Sequence, residues 1–561
     1  MRTVLLALAA LLMPVSVVHA ATVEINYRTL QYAAAPNEGN QVSMVTTDGV
    51  TFSVVDTGAP LTPGAGCIAV DAHRATCTAS ATLWLHSIDV RTGDRDDVVA
   101  LKGISTPLCT SVHIDGGEGD DTIRTITASG CWGGGFTAEG GPGNDHLSET
   151  DHQFALSGGP GDDELVLGKH SGHANGGEGD DRIVPSSADQ DQMDGGAGQD
   201  ILDYSARTGD LFVDLAAGQY DAGEEDEYDK AVDFEGVLGG AGDDVLLGTK
   251  HADTLFGGAG DDLLDGRAGA DELLGGFGED LADYSTRFAP LTVRLDGTPT
   301  SGSEGEGDLV APDVEHVWGG AGPDTLIGNT GDNLLNGGYG ADSLIGGGGA
   351  DTADYSEREE RLVLALNGTP ASGSAADDRG DTIATDIESV ISGAGNDTID
   401  ALNHRLDDID CGPGRDEVFI DTIDRLERCE SSAHGDPVEV FRDRGIPPAI
   451  PVPPPVPAPT VDAATTLKLT LPSRTRRQAL ARGLTVTATC SQACRLTARL
   501  QRGSTTLARG QAATSGRVAL RFTAAGKRAL RGKSRVRARL VVQAVDGRGR
   551  VVSTWRTVTL R

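Results

Sequence analysis

The chain has 561 residues, 77 of them glycine, and carries 84 Asp and Glu against 46 Lys and Arg, a net charge of −38. A body this acidic does not attract nucleic acid, and beyond residue 20 no apolar run is long enough to span a membrane.

Residues 1–20 read as a secretory signal peptide. Arg2 supplies a positive start, Val4 to Val18 is apolar, and Val18-His19-Ala20 offers a small-residue cleavage site. Residues 21–91 contain short alternating runs, such as Val23 to Tyr27 and Thr51 to Val55. Period-two alternation predicts half-buried strands, here a β cap on the end of a solenoid. About 70 residues is small for a catalytic domain.

From residue 92 to 430 the chain is dominated by a glycine-aspartate pattern. It is unbroken over 239–283 (GGAGDDVLL, GTKHADTLF, GGAGDDLLD, GRAGADELL, GGFGEDLAD) and again over 319–354 (GGAGPDTLI, GNTGDNLLN, GGYGADSLI, GGGGADTAD). The unit is G-G-x-G-x-D-x-U-x, with U a large apolar residue. Its first six residues form a glycine-rich turn and its last three a short strand. Position eight points inward: Leu246, Leu255, Leu264, Leu273, Leu326, Leu335 and Leu344. Position six is a carboxylate: Asp244, Asp253, Asp262, Asp271, Asp280, Asp324, Asp342 and Asp351. Hard cations such as calcium take six to eight oxygens, mixing carboxylates with backbone carbonyls. One turn cannot surround such an ion, so the sites are expected between stacked turns.

Two units make one coil, so residues 18 apart stack. GGPGND at Gly140, GGPGDD at Gly158 and GGEGDD at Gly176 keep that spacing, while GGEGDD at Gly116 precedes by 24 and GGAGQD at Gly195 follows by 19. Asp121, Asp145, Asp163, Asp181 and Asp200 are their position-six residues. The intervening nonapeptides lack the motif, which predicts one preserved edge and one degenerate edge. Fainter turns begin at Thr92, Ser392 and Cys411. Asn333 is neutral at position six, so the interior positions of the contiguous blocks are the best candidate sites.

Three inserts begin DYS at Asp203, Asp283 and Asp354 and end at Phe234 to Val237, Val314 to Val317 and Ile387 to Val390. Runs such as Leu291 to Leu295 and Leu362 to Leu366 alternate within them. Each insert is expected to be a hairpin extending the roll, and its acidic loop, as at 223–227, to be solvated.

The nonapeptides resemble those of the RTX, or hemolysin-type, calcium-binding repeat family, and the inserts are similar to those inside RTX modules of secreted bacterial proteins. The resemblance covers roughly residues 92–420. It implies a parallel β-roll and several bound Ca2+ ions. It says little about activity, because the toxins, proteases, lipases and epimerases of that family place their chemistry in another domain. Many of its members leave through a dedicated channel with a C-terminal signal, whereas this chain has the look of a general-pathway substrate.

Residues 431–459 form a linker whose Pro447 to Pro459 stretch is stiff and extended. The segment after it, 460–561, holds 22 Lys and Arg against two acids, leaving 24 against 82 in the preceding 459 residues. Some seven short alternating strands predict an immunoglobulin-like β-sandwich, with a short helix at Thr523 to Leu530. Its basic face reads as a solvated surface, or as one that binds an anionic cell-wall polymer or polysaccharide or docks on the acidic roll. With few aromatic residues to stack on bases, it does not read as a nucleic-acid binder. The eight cysteines fall into local pairs, Cys67/Cys77, Cys109/Cys131, Cys411/Cys429 and Cys490/Cys494, as expected of disulfides in an exported protein.

The sequence contains no HExxH, GxSxG or P-loop motif. His146, His152, His170 and His173 read as surface histidines of a degenerate edge. The expectation is an all-β, exported, non-catalytic calcium-binding protein of adhesin-like or matrix-forming type. The alternative is a polysaccharide-acting enzyme of epimerase or lyase type.

Overall fold

A computed structural model describes residues 20–433, except 47–49, 80–84, 103–110, 127–134, 151–153, 188–189, 219, 225–226, 375–379 and 430, together with seven strands between 467 and 560. The expected signal peptide, the proline-rich stretch, the helix at Thr523 to Leu530, the Cys109/Cys131 pair, and the side chains of Cys490 and Cys494 lie outside the described residues. Among the described residues there are strands and turns but no helix, and so no helix long and apolar enough to cross a membrane. The chain divides into two compact units, Met1–Ala188 with Gly196–Gly198, and Asp189–Gly195 with Gln199–Arg561.

The first unit is a parallel β-roll. One sheet stacks Ser87–Asp94, Ser111–Glu118, Gly135–Glu139, Phe154–Pro160 and His173–Glu178. The other stacks Val98–Lys102, Thr122–Ile126, His146–Glu149, Glu164–Val166 and Arg182–Val184. The register Thr122↔His146 advances by 24 residues and His146↔Glu164 by 18, so the coil lengths in the structure follow the motif spacing. Thr29–Ala33 and Gln41–Thr46 already stack in parallel on the first strands of the two sheets. Antiparallel strands, among them Ala21–Asn26 and Thr51–Asp56, flank that first coil. The Cys67–Cys77 disulfide joins residues paired across two of them.

The second unit is itself built by parallel stacking, in a ten-stranded sheet from Phe212–Asp214 to Arg425–Glu427 and in shorter sheets beside it. The three inserts are more than hairpins. Their antiparallel pairing is brief, as in Leu291↔Ser303 and Leu362↔Ser374. The rest of each insert stacks in parallel as an enlarged coil. Glu272 pairs with Leu309, and Leu281 with His316. Each insert therefore ends one sheet, continues a second and starts a third. In the middle insert Leu309–Val310 ends a sheet, His316–Trp318 continues the ten-stranded one, and Leu291–Arg294 begins a new one.

The core is the stack of position-eight side chains. Leu246, Leu255, Leu264, Leu326 and Leu335 are 0% exposed, and Ile123, Leu147, Leu165 and Ile183 fill the same place in the first unit. A further apolar cluster, Phe212, Val245, Leu247, Leu263, Leu281 and Trp318, buries the other face of the ten-stranded sheet. Residues 467–560 form a separate antiparallel array of seven strands, running in order from Leu467–Thr470 to Val551–Leu560. The immunoglobulin-like character of that array rests on the sequence. Near its end the roll is stapled by Cys411–Cys429.

Because each core leucine contacts the layers above and below, Leu264→Ala opens a cavity that cannot collapse from one side. It is expected to lower stability by about 2–5 kcal/mol in denaturant titrations at saturating calcium.

Candidate metal centre

The position-six aspartates are buried, and their two oxygens do different things. Oδ1 of Asp262 accepts the Asp244 N–H at 2.7 Å, and Oδ1 of Asp280 accepts the Asp262 N–H at 2.8 Å. The same bond links Asp121 to Asp145 and Asp145 to Asp163 at 2.7 Å, and Asp324 to Asp342 at 2.8 Å. Each coil thus donates a backbone proton to a carboxylate of the coil that follows it. The strand N–H groups return the bond, as in Leu281 to the Asp262 carbonyl at 2.8 Å.

Oδ2 is the unsatisfied atom. In Asp97, Asp121, Asp145, Asp163, Asp262, Asp271, Asp280, Asp342 and Asp351 it is buried and accepts no hydrogen bond. It occupies the space that a side chain at the position-one glycine would need. A Cβ on Gly257 would stand 2.3 Å from Asp262 Oδ2 and 2.7 Å from the Gly275 carbonyl oxygen. Gly158 has the same relation to Asp163 and to the Gly176 carbonyl. The turn needs glycine at position four as well: Gly260 has φ +119°, and a Cβ there would lie 2.2 Å from the Gly242 carbonyl oxygen. Carboxylate and carbonyl oxygens converge with no proton between them. An unpaired buried anion is costly, and a hard cation satisfies all these atoms at once. Among the described residues no three Asp, Glu, His or Cys side chains form a metal cluster, which agrees with one carboxylate per turn and backbone carbonyls for the remaining ligands.

The candidate aspartates are not equivalent. Asp121, Asp145, Asp163, Asp262, Asp271, Asp280, Asp342 and Asp351 present the open oxygen. Asp181 and Asp200 are equally buried, at 1% and 0% exposure. Asp244 and Asp324 use Oδ2 within their own turn, accepting from Gly240 at 2.8 Å and Gly320 at 2.7 Å. They are the first aspartates of their columns, and their Oδ1 atoms accept from Leu211 and Leu291. Asp253 is held by the N–H and hydroxyl of Thr249. These three are therefore less available to a metal than the interior positions. The histidines do not gather: His146 and His173 lie in different sheets, His146 Nδ1 contacts Glu164 at 2.8 Å, and His152 lies outside the described residues.

Sequence reasoning missed how the inserts join this ladder. Asp229, Asp308 and Asp381 occupy position six of the enlarged coils, accepting the N–H groups of Asp191, Asp271 and Asp342 through Oδ1. Their Oδ2 atoms meet tyrosine hydroxyls instead of an open site: Tyr204 at 3.0 Å, Tyr284 at 3.0 Å and Tyr355 at 3.1 Å. A protein proton replaces the cation and ends the column. Arg207 pairs with Glu227 at 3.0 Å and Arg287 with Glu306 at 2.9 Å beside these tyrosines. Glu235, Glu315 and Glu388 substitute for aspartate in the neighbouring column, accepting from Asp200, Asp280 and Asp351 at 2.9–3.1 Å. The recurring Tyr of DYS and the recurring Glu at each insert's end were visible signals.

Burial without a counterion raises the carboxyl pKa values. It lifts Asp262, Asp271 and Asp342 to about 8, and Asp121, Asp163 and Asp280 to about 7, with stacked carboxylates adding to the effect. Backbone N–H donation only partly opposes it. The metal-free folded state therefore holds more protons than the unfolded chain above pH ~4, and its stability falls as pH rises through the window up to about 8. In chelator the strand circular-dichroism signal is expected to recover as pH drops from about 8 to about 5. In calcium, proton competition should raise the half-saturating concentration over the same drop.

Tyr284→Phe leaves the Asp308 oxygen without its donor. It is expected to lower stability by about 1–3 kcal/mol at saturating calcium, with the number of bound ions unchanged by native mass spectrometry.

The profile of the RTX calcium-binding nonapeptide repeat matches four copies, at residues 112–125, 247–282 and 318–353. No curated protein matches the chain. The matched segments contain Asp121, Asp262, Asp271, Asp280, Asp342 and Asp351, all with the open carboxylate oxygen. Residues 112–125, 247–282 and 318–353 are thus RTX calcium-binding nonapeptide repeats.

Proposed function

We propose that this protein is exported and completes its folding on extracellular calcium, and that it serves outside the cell as a non-catalytic structural or adhesin-like protein. The observation that carries this reading is the column of buried, unpaired carboxylate oxygens stacked at each coil. Those oxygens belong to a region of 459 residues with 82 acidic and 24 basic side chains. Without cations such a region repels itself, and binding to the folded state alone supplies folding free energy. Extracellular calcium modules bind at about 10⁻⁴–10⁻³ M, which separates a dilute interior from a calcium-rich exterior. The signal-like N-terminus supports export, and the absence of HExxH and GxSxG motifs from the sequence supports a non-catalytic role. The basic segment 460–561 is suited to hold the acidic roll on an anionic wall polymer or polysaccharide.

Circular dichroism of the full chain in chelator and in millimolar calcium tests the folding step. The strand signal is expected to be largely lost in chelator near neutral pH and restored by calcium; an unchanged spectrum would refute calcium-dependent folding.

A further inference from the structure

The geometry points to a further divalent-cation site at Asp407, in a coil that has none of the glycines of the repeat. Residues 402–410 read LNHRLDDID and lie outside the matched repeats. Their strand nevertheless stacks in register, Asp408 opposite Ser389 and Arg425, which places Asp407 at position six of the ten-stranded column.

Asp407 belongs to a set of three positions that each follow a glutamate substitute in its column. After Glu235 comes Asp253, whose carboxylate is held by the Thr249 N–H at 2.5 Å and by the Thr249 hydroxyl at 3.0 Å. After Glu315 comes Asn333, which carries no charge, accepts from the Asn329 N–H at 2.8 Å and donates to the Glu315 carbonyl at 3.1 Å. After Glu388 comes Asp407. It is 0% exposed, and neither of its carboxylate oxygens completes a hydrogen bond. Where the first two positions were supplied with a close donor or relieved of charge, this one has only the Asn403 amide nearby, and that amide donates to the Leu366 carbonyl at 3.2 Å.

The surroundings leave the charge unbalanced. The Asp407 N–H donates to Asp424 Oδ1 at 3.2 Å, whose Oδ2 accepts from Asp421 at 2.7 Å. Arg405 is the nearby cation, but its guanidinium is paired with Glu388. Burial disfavours the charged form of Asp407, and Asp424 and Glu388 add to that, while the Asn403 amide and the Arg405 guanidinium oppose it. Three carboxylates thus surround one guanidinium already in use. Two buried oxygens of one carboxylate without a hydrogen bond suit a hard divalent ion such as calcium. The site uses the cation chemistry of the repeats but does not depend on their occupancy.

The test is ion counting on the full chain by native mass spectrometry at saturating calcium. Asp407→Asn copies the neutral residue found at 333, so it keeps the fold; Asp407→Ser is the second variant, and Asp408→Asn, at an exposed neighbour paired with Arg425, is the control. Both Asp407 variants are expected to carry one ion fewer than wild type, and Asp408→Asn the same number. Equal, non-zero counts in wild type and Asp407→Asn overturn the Asp407 site alone. A wild type that carries no ions overturns this site together with the calcium reading of the whole roll.

Discussion

One asymmetric carboxylate organises this protein. At most coils an aspartate gives one oxygen to a backbone amide of the coil before it and turns the other into the turn it closes. The first bond fixes the stacking distance, and the second oxygen creates a debt of charge. In some coils no group of the protein meets that charge, and in others a tyrosine hydroxyl or a glycine amide does; the difference divides the molecule into kinds of coil. Asp262 and Asp280 belong to the first kind, Asp308 and Asp381 to the second, Asp244 and Asp324 to the third.

The inserts take their meaning from this division. Asp244 and Asp324 open columns, with their second oxygen closed by their own turn. Asp229, Asp308 and Asp381 close columns, with theirs closed by Tyr204, Tyr284 and Tyr355. In the column of Asp324, Asp342 and Asp381 the open carboxylate of Asp342 lies between such an opening and such a closing residue. Inserts there supply both ends of a run, a role their sequence as solvated hairpins would not disclose.

Much of the fold was legible in the sequence because its period is local. A glycine, an aspartate and a leucine held in phase every nine residues specify the turn, the ligand and the core, and Leu264 and Asp262 sit where that phase puts them. The spacing of 24 and 18 residues upstream translated directly into strand register. What escaped were contacts between residues without fixed spacing. Tyr355 and Asp381 are 26 residues apart and Tyr284 and Asp308 are 24 apart, across loops of different composition, so no period reveals the pair. Glu315 and Glu388 replace aspartate in the column, and only the register identifies them as equivalents. The second apolar layer around Phe212 and Trp318 was hidden because residues flanking position eight were read as outward-facing.

The direction of the amide bonds has a further consequence. The Asp244 N–H waits for a carboxylate at residue 262, and the Asp145 N–H for one at 163. Each coil therefore depends on the one that follows it in sequence, and the position-six amides of a roll cut short at any coil would be left without their acceptors. Near the end of the stack Cys411–Cys429 adds a covalent link between coils to these hydrogen bonds.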